Sequence, residues 1–144
     1  MAADPRYALY FAPRPEAALA QFGVRWLGWD IDRGASVDAL ETAGLPTELH
    51  DAITTEPRHY GFHATLKAPF RLAEGMTESD LIGVVTSFAA ERAPLAAASL
   101  RFGPLAAFLA FTPSEWSPRL HDLAADCVAV LDAFRAPLTE AELA

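Results

Sequence analysis

The sequence predicts an α+β fold, a mostly antiparallel sheet with helices on one face. Three observations lead to this prediction. Apolar and polar residues alternate over residues 61–72, which is the period of a strand. Apolar residues recur every three to four positions over residues 15–29 and 117–134, which is the period of a helix. Two short apolar runs near residues 100–111 add a hairpin-like pair of strands.

The first half of the chain predicts one strand and two helices. Arg6–Phe11 is typical of a short strand, which ends before Pro13. Residues 15–29 predict a helix with Pro15 in its first turn, and residues 30–44 predict a loop. A second, short helix follows from Pro46 to Thr55. The apolar stripe predicted for the first helix consists of Ala18, Phe22, Trp26 and Trp29.

The second half predicts three strands and two helices. Gly61–Leu72 is the clearest strand, with Phe62, Ala64, Leu66, Ala68, Phe70 and Leu72 on its apolar face. A capping box at Thr77–Asp80 predicts the start of the next helix. Leu100–Phe102 and Ala106–Phe111 predict two strands with a break at Gly103-Pro104. The last helix begins at Ser117-Pro118, and its core face consists of Leu120, Leu123, Cys127, Leu131 and Phe134.

Size, charge and cysteine content narrow the class of protein. The 144 residues predict a single domain, residues 1–144. One cysteine excludes an intrachain disulfide, and the absence of a signal peptide or a long apolar run predicts a cytoplasmic protein without membrane contact. A net charge of −8 opposes general nucleic-acid binding, which needs a basic surface, but a local cation cluster can still bind a small anion.

The strand over residues 61–72 places three functional groups on one face. A period of two brings His63, Thr65 and Lys67 side by side. An imidazole can move a proton near neutral pH, a hydroxyl can hydrogen-bond a phosphate oxygen, and an ammonium can balance its charge. This combination indicates a site for a phosphate ester. On the short His-x-Thr pattern alone, the simpler alternative is favoured, namely a solvated strand face with an ordinary surface histidine.

The residues around this strand form a local basic segment. Residues 57–73 contain no Asp or Glu, although the chain has 19 acidic residues. Arg58 and Tyr60 precede the motif and are candidate substrate-binding residues, with turn packing as their alternative role. Tyr7 and Tyr10 belong to opposite faces of the first strand, so that one can neighbour the site while the other points into the core.

Three segments resemble one family over nearly the whole chain. YGFHATLKAPF, RYALYFAP and LAADCVAVLDAFRAPLTEAELA resemble the phosphonate-operon protein family of the two-histidine phosphoesterase superfamily. The resemblance implies a two-lobed α+β fold with one His-x-Thr/Ser motif on each side of a cleft, and no metal or cofactor. It implies that His63 transfers a proton and Thr65 holds the phosphate. The expected enzyme is a metal-independent phosphoesterase acting on a small, often cyclic, phosphodiester or a phosphonate-pathway intermediate.

The sequence departs from that pattern because the second motif is missing. None of His50, His59 and His121 has a hydroxyl residue two positions later, and a capping box at Thr139–Glu142 comes just before the last residue. We therefore expect a fold that is incomplete at its C-terminus, with an exposed apolar surface. The chain is then a fragment, the reading we favour, or a homodimer that completes the site, or a non-catalytic phosphate-binding or assembly domain.

Other candidate residues have simpler explanations. Cys127 lies on a core stripe and predicts a buried structural thiol. His50 is expected to be exposed, and Asp30 and Asp32 lack the further ligands of a calcium loop. The sequence contains no P-loop, no G-x-G-x-x-G and no zinc-type spacing.

Overall fold

The computed structural model describes residues 5–96 and 99–143, which belong to two compact units. Unit 1 comprises Met1–Leu9 and Leu66–Ala144, and unit 2 comprises Tyr10–Thr65. The helices are α1 Ala18–Leu27, α2 Thr47–Thr54, α3 Glu78–Ala90, α4 Pro118–Leu131 and α5 Glu140–Leu143, with short 3₁₀ helices at Pro57–His59 and Asp132–Phe134. The strands are β1 Tyr7–Phe11, β2 Trp29–Asp30, β3 Ala35–Ser36, β4 Ala64–Phe70, β5 Leu100–Leu105 and β6 Phe108–Pro113.

The described residues contain helices and small sheets, which confirms the α+β class. The strands form three separate two-stranded sheets, β1 with β4, β2 with β3 and β5 with β6. The prediction of one larger sheet with helices on one face is therefore wrong for the described residues. Strand pairing depends on long-range contacts and register, which local alternation of apolar and polar residues does not specify.

Helix α1 of unit 2 buries a different stripe from the predicted one. Its buried residues are Ala20, Gly23 and Leu27, while Phe22 is exposed. Gly23 explains the difference, because a Cβ at this position would overlap the ring of Phe62. The absence of a side chain on α1 thus lets the segment before β4 pack directly against the helix backbone.

Helix α2 carries a buried histidine, which corrects the expectation that His50 is exposed. His50 is only 6% exposed, and its ring meets that of Trp26 edge-on with centroids 4.9 Å apart. Apolar neighbours can accommodate an imidazole because its ring is amphipathic. The position of His50 beside core residues in the helical pattern was therefore not enough to predict that its side chain is buried.

Unit 1 is held together by an apolar cluster between β4, α3 and α4. Phe70, Leu81, Leu131 and Phe134 are its buried members, with Tyr7, Leu9, Leu72, Val84 and Val85 packed against them. Cys127 is buried as well, as predicted. Phe134 reaches this cluster from the 3₁₀ helix that follows α4 rather than from α4 itself.

The helix-start signals at Thr77, Ser117 and Thr139 are confirmed, whereas Pro15 lies before α1, which begins at Ala18. Thr77 Oγ1 accepts a hydrogen bond from Asp80 N at 3.2 Å, and Asp80 Oδ2 accepts one from Thr77 N at 3.1 Å. Ser117 Oγ caps α4 by accepting from Leu120 N at 3.4 Å. Thr139 N donates to Glu142 Oε2 at 2.8 Å at the start of α5. These contacts satisfy backbone donors that the first turn of a helix leaves free.

The β5–β6 hairpin turns at a different place from the predicted break. Leu105 pairs with Phe108, so the connection is Ala106-Ala107, and Gly103-Pro104 lies within β5. Pro104 is tolerated there because a two-stranded sheet leaves one backbone edge of each strand without a ladder partner. No helix of the described chain has the length and apolar character needed to cross a bilayer.

Candidate functional site

His63 stands immediately before β4, in unit 2, and its ring is held by the backbone two residues earlier. Nδ1 of His63 lies 3.0 Å from the carbonyl oxygen of Gly61. Because a carbonyl oxygen can only accept, Nδ1 carries the proton in this contact. The neutral imidazole is thereby held in the Nδ1–H tautomer, which leaves Nε2 as its acceptor.

Thr65 and His63 point their functional atoms at each other. Thr65 Oγ1 lies 3.3 Å from His63 Nε2, which is a hydroxyl-to-nitrogen hydrogen bond when the imidazole is neutral. The predicted strand period therefore brings these two residues together, as expected. Thr65 is exposed and His63 half-buried, so both atoms are accessible to a small ligand.

The ring of His63 is also fixed by an aromatic stack. Tyr10 lies parallel to it, with ring centroids 3.9 Å apart and an interplanar angle of 26°. Tyr7, on the other face of β1, packs instead against the core cluster and donates a hydrogen bond to Glu78 Oε2 at 3.1 Å. The expectation that one of the two tyrosines neighbours the site is confirmed, and Tyr10 is that residue.

Gly61 is a site residue that the sequence did not single out. Its φ is +70°, and a Cβ there would lie 2.8 Å from Ile31 Cγ2. Only glycine satisfies both conditions without strain. The sequence predicted Gly61 only as the first residue of the strand Gly61–Leu72, whereas β4 begins at Ala64.

Arg58 and Tyr60 lie on the 3₁₀ segment that leads to the motif. Arg58 Nη2 donates to Thr54 Oγ1 at 2.8 Å and lies 3.7 Å from Asp51 Oδ1, which ties it to helix α2. Tyr60 is exposed and accessible to solvent. Arg58 therefore has a local packing role, whereas Tyr60 is available for a ligand.

Lys67 does not present its charge beside His63 and Thr65 on an open face. It is only 5% exposed, and Nζ donates to the Val128 carbonyl at 2.9 Å and to Asp132 Oδ1 at 3.1 Å. The expectation of a free cation on the motif face is corrected, because Lys67 pairs with the end of α4. Burial of an ammonium requires such partners.

The carboxylate that pairs with Lys67 also pairs with Arg135. Arg135 Nε donates to Asp132 Oδ1 at 2.8 Å. Arg135 first, and Lys67 second, hold the pKa of Asp132 down at about 2. Within residues 5–96 and 99–143, no three His, Cys, Asp or Glu side chains are grouped so that they could hold a metal ion.

The His63–Thr65 pair has two hydrogen-bonding states, and one of them suits an anion. When protonated, the imidazole donates from Nε2, and the Thr65 hydroxyl donates beside it. Two adjacent donors, one of them charged, match two oxygens of one phosphate group. When neutral, Nε2 instead accepts the proton of a hydroxyl, here that of Thr65.

Comparison with known proteins gives a family and two curated relatives. A family model described as "Protein of unknown function (DUF1045)" matches residues 65–144, more than half of the chain. A protein of Janthinobacterium sp. (strain Marseille), named ribose 1,5-bisphosphate phosphokinase PhnN, is 42% identical over 96% of this chain and 31% of its own length. A protein of Laribacter hongkongensis (strain HLHK9) with the same name is 35% identical over 92% of this chain and 31% of its own length.

These relatives overturn one expectation. Both are named as a kinase, so the expected metal-independent phosphoesterase, a hydrolase, is wrong. The chain spans about a third of the length of the curated relatives it matches. No solved structure matches the chain, and the two-lobed phosphoesterase fold therefore stays an expectation.

Proposed function

The chain belongs to the family described as protein of unknown function (DUF1045), and we propose that its His63–Thr65 pair binds the phosphate group of a small phosphorylated sugar. The observation that carries this proposal is that His63 Nε2 and Thr65 Oγ1 lie 3.3 Å apart. The His63 ring is held in this orientation by the contact of its Nδ1 with the Gly61 carbonyl oxygen. In this proposal the chain binds its ligand without turning it over.

The nature of the pair supports a phosphate ligand over a neutral one. A protonated imidazole forms a charge-assisted hydrogen bond with a phosphate oxygen, and a hydroxyl forms a neutral one. The charge-assisted bond contributes more to the binding free energy. The Tyr10 stack restricts rotation of the His63 ring, so less side-chain entropy is lost when a ligand binds. Tyr60 is exposed, and in this proposal its side chain contacts the sugar of the bound ligand.

The relatives' name supports a particular ligand class. Ribose 1,5-bisphosphate, in the name of both curated relatives, is a sugar with two phosphate esters. The resemblance to a phosphonate-operon family points to the same metabolic setting. The 144 residues contain no G-x-x-x-x-G-K-[ST] motif, so we do not place phosphoryl transfer on this chain. Ligand capture is the role that the His63–Thr65 pair can supply.

Titration calorimetry with ribose 5-phosphate and ribose 1,5-bisphosphate tests this proposal. Replacement of His63 by Ala removes a charge-assisted hydrogen bond, worth about 1.5–3 kcal/mol, and should weaken binding roughly 10- to 150-fold. Thr65→Val removes a neutral one and should weaken binding by about 2- to 10-fold.

The matched control is His59→Ala, an exposed histidine on the neighbouring 3₁₀ helix, which should leave the affinity unchanged. Ribose itself, without phosphate, should not bind measurably. Equal losses for His59→Ala and His63→Ala would indicate that only the overall charge matters. Equal affinity for ribose and its phosphates would exclude a phosphate site at His63.

A further inference from the structure

Two arginines of unit 1 share one carboxylate. Arg6 stands directly before β1 and Arg71 directly after β4, and these two strands pair in one sheet. Arg6 Nη2 lies 3.5 Å from Glu142 Oε1, and Arg71 Nη2 lies 3.1 Å from Glu142 Oε2. The side chain of Glu142, on helix α5, therefore lies between two guanidinium groups.

The same carboxylate accepts two further hydrogen bonds from Thr139. The backbone N–H of Thr139 donates to Glu142 Oε2 at 2.8 Å, and its hydroxyl donates to the same oxygen at 2.9 Å. One carboxylate thus receives two cationic donors and two neutral ones. Guanidinium groups bind phosphate oxygens in the same way as carboxylate oxygens, so the arginines that hold Glu142 also suit a phosphate group.

The backbone holds both guanidinium groups in place independently of Glu142. Arg71 Nη2 donates to the Pro137 carbonyl at 3.0 Å, and Arg6 Nη2 donates to the Pro69 carbonyl at 3.4 Å. A carbonyl oxygen fixes a guanidinium group but does not neutralise its charge. The side chains of Arg6 and Arg71 are 55% and 26% exposed, so a small solute can reach both of them.

Charge favours a ligand that is more negative than Glu142. One carboxylate carries one negative charge, whereas the two guanidinium groups carry two positive charges. One positive charge is therefore not neutralised within this group of three side chains. A phosphate monoester carries about 1.5 to 2 negative charges at pH 7. A phosphate group therefore balances the two arginines better than Glu142 does.

Helix α5 is short enough to release Glu142. It comprises four residues, and isolated helices shorter than about 12–15 residues are marginally stable in water. The segment before α5 is anchored without Glu142, because Ala136 N donates to the Arg71 carbonyl at 2.8 Å. Glu142 can therefore leave the two arginines while the chain up to residue 136 stays attached to the end of β4.

We propose that Arg6 and Arg71 form an anion site whose ligand is a phosphate group, and that Glu142 fills this site until the ligand displaces it. The site is distinct from the His63–Thr65 pair, which belongs to unit 2. A tethered group competes at an effective concentration in the millimolar range. Phosphate should therefore bind the unmodified chain weakly, and its binding should release α5.

Titration calorimetry with inorganic phosphate tests this proposal. All variants carry His63→Ala, so that the His63–Thr65 pair makes no contribution. Adding Glu142→Gln removes the competing charge and should tighten phosphate binding about tenfold. Adding Arg71→Gln as well should abolish the gain. Ribose 5-phosphate carries the same group and should also bind, and the tighter of the two ligands identifies whether the site takes free phosphate or an ester.

The matched control is Asp126→Asn in the same His63→Ala chain. Asp126 Oδ2 accepts from Arg92 Nη2 at 2.8 Å, so this variant changes the net charge by the same amount but frees only one guanidinium group. It should leave the phosphate affinity unchanged. Equal gains for Asp126→Asn and Glu142→Gln, or no gain for Glu142→Gln, would overturn the proposal.

A second measurement uses the unmodified chain and covers the case in which a variant does not fold. The Thr139 amide donates to Glu142, so its hydrogen exchange should become faster when phosphate displaces that carboxylate. The Thr77 amide is the internal control, because it donates to Asp80 in an equivalent capping box that has no arginine contact among the described residues. Its exchange should not respond to phosphate. If saturating phosphate leaves the exchange of the Thr139 amide unchanged, Glu142 is not displaced and the proposal is wrong.

Discussion

The state of one imidazole depends on one backbone carbonyl at the candidate site. Gly61 reaches a φ of +70° and turns its carbonyl oxygen towards His63 Nδ1, 3.0 Å away. The proton is thus held on the side away from Thr65, and Nε2 faces the Thr65 hydroxyl oxygen, 3.3 Å away. Gly61 acts as a positioning residue for His63, because it sets the tautomer without itself facing the ligand.

Replacement of Gly61 by Ala should release this tautomer. The left-handed conformation costs a non-glycine residue about 1–2 kcal/mol, and the added Cβ would also press on Ile31. The chain should relax by moving the Gly61 carbonyl, so that ¹⁵N NMR of the His63 ring detects protons on both nitrogens. Urea unfolding should give a lower free energy of unfolding by a similar amount.

Gly34→Ala is the control for this substitution. Gly34 has a comparable φ of +60°, but nothing lies within 4 Å of the position of its Cβ. It should lower stability through the backbone cost alone and leave the His63 ring signals unchanged. If Gly61→Ala also leaves those signals unchanged, the carbonyl of residue 61 does not determine the tautomer.

At the scale of the element, the β5–β6 hairpin contains a strained turn. Ala106 has a φ of +52° and is the only non-glycine residue with a positive φ in the described part of the chain. It is the first residue of a two-residue connection between Leu105 and Phe108, where glycine is favoured in type II′ turns. Pairing of β5 with β6 therefore holds Ala106 in a backbone conformation that alanine disfavours.

Ala106→Gly should stabilise the hairpin by about 1 kcal/mol, because it removes the cost of a left-handed alanine. Hydrogen exchange of the amides that pair β5 with β6 should slow about fivefold as a result. Ala107→Gly is the control, and it should speed exchange slightly through the added backbone entropy. Faster exchange in Ala106→Gly would show that the turn is not strained.

The start of α3 offers a second test at this scale. Thr77 caps the helix through the reciprocal contacts with Asp80. Thr77→Ala removes the side-chain acceptor and should cost about 1 kcal/mol in the free energy of unfolding, measured by urea titration. Thr77→Ser keeps the hydroxyl and should stay within a few tenths of the original value. Equal losses in both variants would assign the effect to packing of the methyl group.

Local signals in the sequence predicted the elements better than their pairing. Caps at Thr77 and Ser117 require only neighbours in the chain, and both are in place. His63 and Thr65 are also close in sequence, and their contact followed from strand period. Lys67 differs because its partner, Asp132, lies 65 residues later. Likewise, the buried stripe of α1 depends on Phe62 meeting Gly23, which no periodicity within α1 contains.

At the scale of the whole molecule, two carboxylates link stability to acid pH. Arg135 and then Lys67 lower the pKa of Asp132 from 3.8 to about 2. The backbone N–H and hydroxyl of Thr139, followed by Arg71, lower the pKa of Glu142 from 4.5 to about 2. Both groups bind protons more weakly in the folded chain than in the unfolded one. Their contribution is therefore complete above about pH 4.5 and is lost as the pH falls towards 2.

The free energy of unfolding should therefore fall on acidification from about pH 5 to about 2.5. Asp132→Asn and Glu142→Gln should each flatten this slope, and the double variant should flatten it most, because these side chains no longer titrate. Asp122→Asn, an exposed acid on α4, should leave the slope as it is. Urea titrations at successive pH values measure the slope. If Asp132→Asn, Glu142→Gln and Asp122→Asn all show the same dependence of unfolding free energy on pH, Asp132 and Glu142 are not its source.

Cys127 is a natural probe for opening of unit 1. It is the only thiol of the chain, it is 1% exposed, and burial raises its pKa, so that little reactive thiolate forms. A thiol reagent can therefore modify it only when α4 lifts from the core of unit 1. The labelling rate, without any engineered probe, reports how often this unit opens, and the variants proposed above can be ranked by that rate.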